Sequence, residues 1–286
     1  MAHPWEHTLE PFLAGLAFPE APRWHDGRLY FSDMDDNRVA SAGLDGHVET
    51  VTEVASRPSG LGWLPDGSLL VVSMHDRCVL RLSDDGLTVH SDLSALAAFH
   101  CNDMWVDALG RAYVGSFGWD PRGDGPERPT PLILVMPGGS ATFTGDELAF
   151  PNGIGLTADG HTLVVAESRG ARLSAFSVAD DGQLRDRRVL ADLGESFPDG
   201  ICVDAEGGVW AATIFENEVI RVGPDGTVTD RVSTSPLHAY ACALGGPDGR
   251  SLFVCSASTS EPGDAARLRH GRIGVAHVEV PGAGRA

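Results

Sequence analysis

The feature that most narrows the fold is a repeat. Phe150-Pro151-Asn152-Gly153-Ile154 returns as Phe197-Pro198-Asp199-Gly200-Ile201, and each is followed by a short apolar strand, a tight Gly turn and a second apolar strand. That is a hairpin signature. The same template fits from Pro19, Pro58, Cys101 and Tyr240, so the chain reads as six units of one supersecondary element. A strand-built repeat of roughly 40–50 residues predicts one closed assembly rather than separate domains. Nothing between the strands sustains a helical period, which removes an α/β fold.

Each unit predicts four short antiparallel strands; in unit one the first turn is followed by YFSD, RVASA and HVETV. The fold class is therefore all-β, a six-bladed β-propeller over residues 1–286 as a single domain. Residues from about 5 to 18, which include LEPFLAGLAF, are expected to close the ring by adding a strand to the last blade. Two stretches break the plan. GWDPRGDGPERPTP, between Phe117 and Leu132, is expected to be a lid or a surface insertion, and SASTSEPGDAARLRHG interrupts unit six.

Composition excludes several functions. A net charge of −19 argues against nucleic acid and anionic membrane as partners. No apolar run reaches the ~18 residues of a membrane helix. The opening MAHPWEHTLEPF does not read as a secretory signal, and five cysteines without tight spacing suit a reduced compartment. A cytoplasmic monomer or small homo-oligomer is the expectation.

In a propeller the innermost strands all begin at one end of the axis, so equivalent repeat positions converge there. The residue eight before each turn glycine (seven in unit one) is Glu20, Ser59, Asn102, Asn152, Asp199 or Ala241. Two carboxylates and two carboxamides around an axial hole, without thiolates, suit a hard divalent cation. Pro-Asn-Gly and Pro-Asp-Gly are also turn chemistry. That account does not reach Glu20 in PEAP or Asn102 in HCND.

Glu20 in FPEAPRW, Asn102-Asp103 in HCNDMWVDALGRAYVG, Asn152 in FPNGI and Asp199 in FPDGICVDAEGGVWAA together resemble the SMP-30/gluconolactonase/luciferin-regenerating-enzyme family along nearly the whole chain. The resemblance implies a six-bladed propeller with one catalytic divalent ion, most often calcium, with zinc, magnesium or manganese as alternatives. It implies Glu20, Asn152 and Asp199 as metal ligands, Asn102 beside the metal against substrate or water, and hydrolysis of lactones or, in some members, phosphoesters. Sugar-lactone members resemble one another in an arginine two residues before this Asn. Here that position is His100, and Ser116-Phe117-Gly118-Trp119 stands where they carry acidic residues. Phe117, Trp119, Trp24 and Met104 therefore predict a ligand less polar than a sugar lactone.

The expected chemistry is metal-assisted opening of a cyclic ester. Asp199 is the first candidate for the base that deprotonates water, with His100 second. Asn102, His100, Phe117, Trp119, His75 and Trp24 are the expected substrate contacts, and His238 is a weaker candidate. A serine hydrolase is disfavoured because no Gly-x-Ser-x-Gly elbow exists, and Cys101 reads as packing rather than as a nucleophile. Two other classes remain: a lyase or isomerase on the same scaffold, and a calcium- or small-molecule-binding protein without turnover.

Overall fold

The computed structural model describes residues 5–284; residues 1–4, 285 and 286, the ends of the expected 1–286 domain and of the N-terminal reading, lie outside the described residues. Six sheets follow in chain order. Blade 1 is Pro19–His25, Arg28–Asp33, Arg38–Ala42 and Val48–Glu53, and blade 2 is Pro58–Trp63, Leu69–Ser73, Cys78–Ser83 and Gly86–Asp92. Blade 3 is Cys101–Val106, Ala112–Ser116, Thr130–Val135 and Ala141–Leu148, and blade 4 is Pro151–Leu156, Thr162–Glu167, Arg172–Val178 and Leu184–Asp192. Blade 5 is Pro198–Val203, Val209–Thr213, Glu218–Val222 and Val228–Ser233. Blade 6 combines His238–Gly245, Ser251–Ala257 and Gly271–His277 with Glu10–Leu16 from the N-terminal end of the chain.

That last pairing, Glu10 opposite Val275 through Leu16 opposite Gly271, is antiparallel and joins the two ends of the chain. The N-terminal segment does more than add to the last blade. Trp5–His7 forms a fifth strand, parallel to Val228–Ser233 on the outside of blade 5. His7 Nε2 lies 2.8 Å from Asp230 Oδ1 and its ring meets Trp210 edge-on. The segment crosses the outer edge of blade 5 on its way to blade 6, and pairing covers backbone groups that an edge strand leaves open.

The core is divided among the interfaces between neighbouring blades. Leu70, Val72 and Val79 of blade 2 pack with Met104, Val114 and Ile133 of blade 3, while Val71, the alternate residue of the same strand, packs with Val39 and Ala21 of blade 1. Both faces of the middle strands are buried, so LLVVS and VWAAT are apolar throughout instead of alternating. All five cysteines are buried and free.

The inner strands approach so closely that some positions admit no side chain. A Cβ on Gly200 would lie 2.6 Å from Ala241 Cβ and 2.7 Å from its Cα, and one on Gly153 would lie 2.4 Å from Ile201 N. Neither glycine has a positive φ, and both lie inside inner strands. Pro-Asn-Gly and Pro-Asp-Gly are therefore packing motifs here, not turns. Gly200→Ala is expected to destabilise the protein by about 1–3 kcal/mol through overpacking against blade 6, measurable as a lower denaturation midpoint with an unchanged slope.

Candidate functional site at the axial mouth

Glu20, Ser59, Asn102, Asn152 and Asp199 are each the second residue of an inner strand, and those strands begin at the same end of the ring. Just beyond this point every inner hairpin slips register: Glu20/Arg23, Pro58/Leu61, Cys101/Met104, Pro151/Ile154, Pro198/Ile201 and Ala239/Ala241. A bulge frees a residue from the ladder and re-aims its side chain. Six bulges at one repeat position make the ring of inward groups.

Their contacts bring the expected set together. Asn102 Nδ2 donates to Asn152 Oδ1 at 3.0 Å, Asn152 Nδ2 donates to Ser168 Oγ at 3.2 Å, and Ser168 Oγ donates to the Pro198 carbonyl at 2.6 Å. The Asn152 amide also favours the ionised Asp199 carboxylate and offsets part of the rise that burial imposes on it. Glu20 Oε2 accepts from the Ala21 amide at 3.0 Å. Burial, and next the Asp199 carboxylate, push Glu20 well above the usual carboxylate range; burial, and next Asp103, do the same to Asp199. Two carboxyls, Asp199 buried and Glu20 half-buried, that are raised by burial and by neighbouring carboxylates and form no ion pair among the described residues suit a cation site.

The donor chemistry fits a hard dication: Glu20 and Asp199 supply two charges, and Asn152 supplies an amide oxygen already oriented by Asn102 and Ser168. Among the described residues no group of three or more His, Cys, Asp and Glu converges as a metal cage. The set here has two carboxylates completed by amides, which is oxygen-rich and has no soft ligand.

Beneath it lies a pair the repeat reading did not single out. Arg23 Nη2 donates to Asp103 Oδ1 and to the Met104 carbonyl, both at 2.8 Å, with side chains only 4% and 9% exposed. Asp103 also accepts from the Met104 and Ile154 amides. This carboxylate is spent on joining blades 1, 3 and 4. Arg23 was visible only as a polar residue in an inner strand, three positions after Glu20.

The walls of the mouth are aromatic. Phe117 stacks on Phe150 at 4.5 Å and Trp119 meets Phe150 edge-on at 5.3 Å. Phe18 meets Tyr240 at 4.7 Å. Phe197 contacts Phe215, which is 67% exposed and also faces His238. Phe18, Met34, Met74, Phe117, Ile214 and Tyr240 belong to one apolar cluster, closed by Ala265.

His100 and His75 lie together, ring centroids 4.4 Å apart, and Phe117 is 6.2 Å from His100. Burial first, then His75 and Arg57, push His100 down to about 4; burial and Arg57 lower His75. Two expected groups are elsewhere. Trp24 is four residues along its strand from Glu20, roughly 13 Å, where it stacks on Phe253 at 5.6 Å and fills the space beside Gly245. Met104 is fully buried between blades 2 and 3. Both stand an even number of residues past the axial position, where alternation alone would keep them on its face; the register slips at Glu20/Arg23 and Cys101/Met104 turn them away. His238 Nδ1 is held 2.8 Å from Asn217 Oδ1 at the foot of a blade 5 turn. Burial pushes the Cys101 thiol up to about 12, so it is no nucleophile.

The two insertions meet. Residues 121–129 are exposed, and Thr130 already begins a strand, two residues before the expected end of the insertion at Leu132. The other break contains the α-helix Pro262–Leu268, started by proline and packed against the turn at Met34–Asp36. Arg122 of the first bonds Glu261 of the second at 3.2 Å, and Arg269 holds Asp36 through both oxygens. Blades 3 and 6 stand opposite in a ring of six, so a bond between their insertions spans the mouth. A surface cavity of about 430 Å³ between blades 3 and 4 is unrelated to this site, lined by Asp107, Arg111, Leu156 and His161. Arg111 there is already paired with Asp107.

Comparison with known proteins agrees with the six-bladed fold. The pentonolactonase XacC of Haloferax volcanii is 26% identical over 86% of this chain and 84% of its own. The L-arabinolactonase of Azospirillum brasilense is 32% identical over 86% of this chain and 83% of its own. The crystal structure of a calcium-binding protein, regucalcin, from Agrobacterium tumefaciens superposes with a TM-score of 0.82 at 22% identity, covering 99% and 97% of the two chains, a likeness of fold. The family described as SMP-30/gluconolactonase/LRE-like region matches residues 18–258, and the chain belongs to that family.

Proposed function

We propose that the protein is a metal-dependent lactonase whose substrate is less polar than a sugar lactone. The observation that carries the reading is the carboxylate pair at the axis, half-buried Glu20 pushed up by burial and by the charge of buried Asp199, beside the bonded amides of Asn102 and Asn152. The lactonase relatives and the calcium-binding relative support the reaction class and the ion.

Glu20, Asn152 and Asp199 would hold the divalent ion, with calcium the first candidate. When bound it would supply Lewis-acid polarisation of the lactone carbonyl. Asn102, fixed by its bond to Asn152, orients substrate from the blade 3 side. Asp199 takes the proton of the attacking water as the new C–O bond forms; the ring C–O bond then breaks, and the departing alkoxide recovers a proton to leave a hydroxy acid. We place Asp199 ahead of His100 as the base. A group whose conjugate acid ionises at about 4 is a weak proton acceptor at neutral pH. Its part is a neutral hydrogen-bonding contact beside His75.

The apolar preference rests on Phe117, Trp119, Phe150, Phe18 and Tyr240 around the mouth. A sugar would leave its hydroxyls unpaired against such a wall, and unpaired polar groups are costly. The bond between the inserted segments supports a lid role for residues 117–132.

Asp199→Ala and Glu20→Gln are each expected to lower calcium affinity, read by calorimetry, and to cut lactone turnover by more than about 100-fold while the β circular dichroism persists. Wild-type affinity in both would reject the site. Incorporation of ¹⁸O from labelled water into product checks hydrolysis against a lyase or isomerase route. The folded pKa of His100 lies below its unfolded value, so between the two the unfolded chain binds the extra proton and stability falls as pH drops from about 6.5 towards 4. Melting curves of His100→Gln should lose part of that acid-side slope.

A further inference from the structure

A permanently charged group at the mouth that the lactonase reading does not use is found through the repeat. Two residues before each axial position stand Phe18, Arg57, His100, Phe150, Phe197 and Ala239. Applied to blade 3, this offset marks the place where sugar-lactone relatives were expected to carry an arginine and where this chain has His100. Applied to blade 2, it finds Arg57, one blade round the ring.

Arg57 is built into the site. Its carbonyl accepts from the Met74 amide at 3.0 Å, His75 N bonds the Ser56 carbonyl, and Cys101 N bonds the Met74 carbonyl at 3.2 Å. These bonds set Arg57, His75 and the start of the His100 strand side by side. Its guanidinium lies 5.9 Å over the Phe18 ring. Its side chain is 11% exposed, yet the one ion pair it makes among the described residues, to Asp35 Oδ1 at 3.2 Å, runs through Nε. That contact lacks hydrogen-bond geometry, because Arg57 Nε is without a hydrogen-bond partner. The Nη edge is left for something else. Its charge reaches Glu20, His75 and His100, which places it at the mouth and not on the outer wall.

The backbone adds a second observation. Arg57 has φ +65, and Phe150, at the same repeat position, has φ +62. Left-handed backbone is uncommon for a non-glycine residue and persists where the surrounding structure over-determines it. Here the shared backbone turn aims the Arg57 and Phe150 positions alike.

We infer that Arg57 is a specificity-determining residue that receives a carboxylate carried by the substrate, binding it through the Nη edge with His75 and His100 alongside, while the body of the substrate lies on Phe18, Phe117 and Phe150. The mouth is then bipartite, with a cationic and imidazole sector on blades 2 and 3 and an aromatic wall around the rest. A planar guanidinium with its Nη fork available matches a carboxylate bidentately, which a hydroxyl cannot reproduce. The substrate class is an apolar lactone bearing one carboxylate.

This rests on the lactonase reading for its reaction but not for its recognition, and the test separates the two. Binding of a carboxyphenyl-substituted δ-lactam and of its methyl ester, both inert to ring opening, is measured by calorimetry on calcium-loaded protein, and turnover is measured on the corresponding lactones. The wild type is expected to bind the acid about 10–100-fold more tightly than the ester, and Arg57→Gln to remove that preference. Absence of an acid preference in the wild type, or its survival in Arg57→Gln, overturns the inference. Should Arg57→Gln not fold, Arg57→Lys decides, because it keeps the charge and loses the fork: a fall in preference of at least about threefold supports the assignment, and an undiminished preference rejects it. If neither lactone turns over while the Arg57-dependent preference holds, the lactonase reading fails and this one stands.

Discussion

Negative charge held away from water at the propeller axis is the constraint on which the rest depends. Asp103 is neutralised by Arg23 and by two backbone amides, so it can be buried without an ion. Glu20 and Asp199 have no such partner; one leans on the Ala21 amide and the other on Asn152. Burying two carboxylates in one another's field costs several kcal/mol unless they protonate or meet a cation. The dication we propose would offset that cost, and the hydrogen-bonded line from Asn102 through Asn152 and Ser168 to Pro198 fixes the neutral amide oxygen beside the two carboxylates.

The blades make this possible by putting their stability elsewhere. Apolar packing lies in the interfaces between neighbours, from Leu70 against Ile133 to Phe31 against Phe253, and the strand order closes through Glu10–Leu16. Because the ring is held at its interfaces, its axis can carry polar and repelling groups with little loss. Access to that axis is then shaped by the aromatic wall, the histidine pair, and the insertions joined by Arg122 and Glu261. In this way a family scaffold can keep its reaction while its ligand changes.

Much of the site was legible in the chain, and the unreadable parts share a cause. Glu20, Asn102, Asn152 and Asp199 were found because a repeat converts sequence position into position around an axis. Phe117 and Trp119 follow the same logic at the end of the second strand. Trp24 and Met104 were misplaced because an aromatic or thioether side chain near a motif looks the same whether it points to the axis or into an interface; the bulges after Glu20 and Cys101, which override the alternation of the strand, decide which. Arg23 and Asp103 went unassigned because an ion pair between residues 80 apart has no local signature. Arg57 had a signature, the offset shared with His100, that needed the offset to be applied to every blade.

By itself the sequence determined the number of blades, the closure of the ring and which oxygen-bearing residues lie level with one another, because periodicity and pattern are properties of a line. Only the tertiary structure decided which side chains face the axis, that Trp5–His7 guards blade 5, and that Pro-Asp-Gly packs against Ala241 instead of turning. Those outcomes depend on bulges and on distances between strands far apart in the chain, and no pattern along the chain specifies a distance across it.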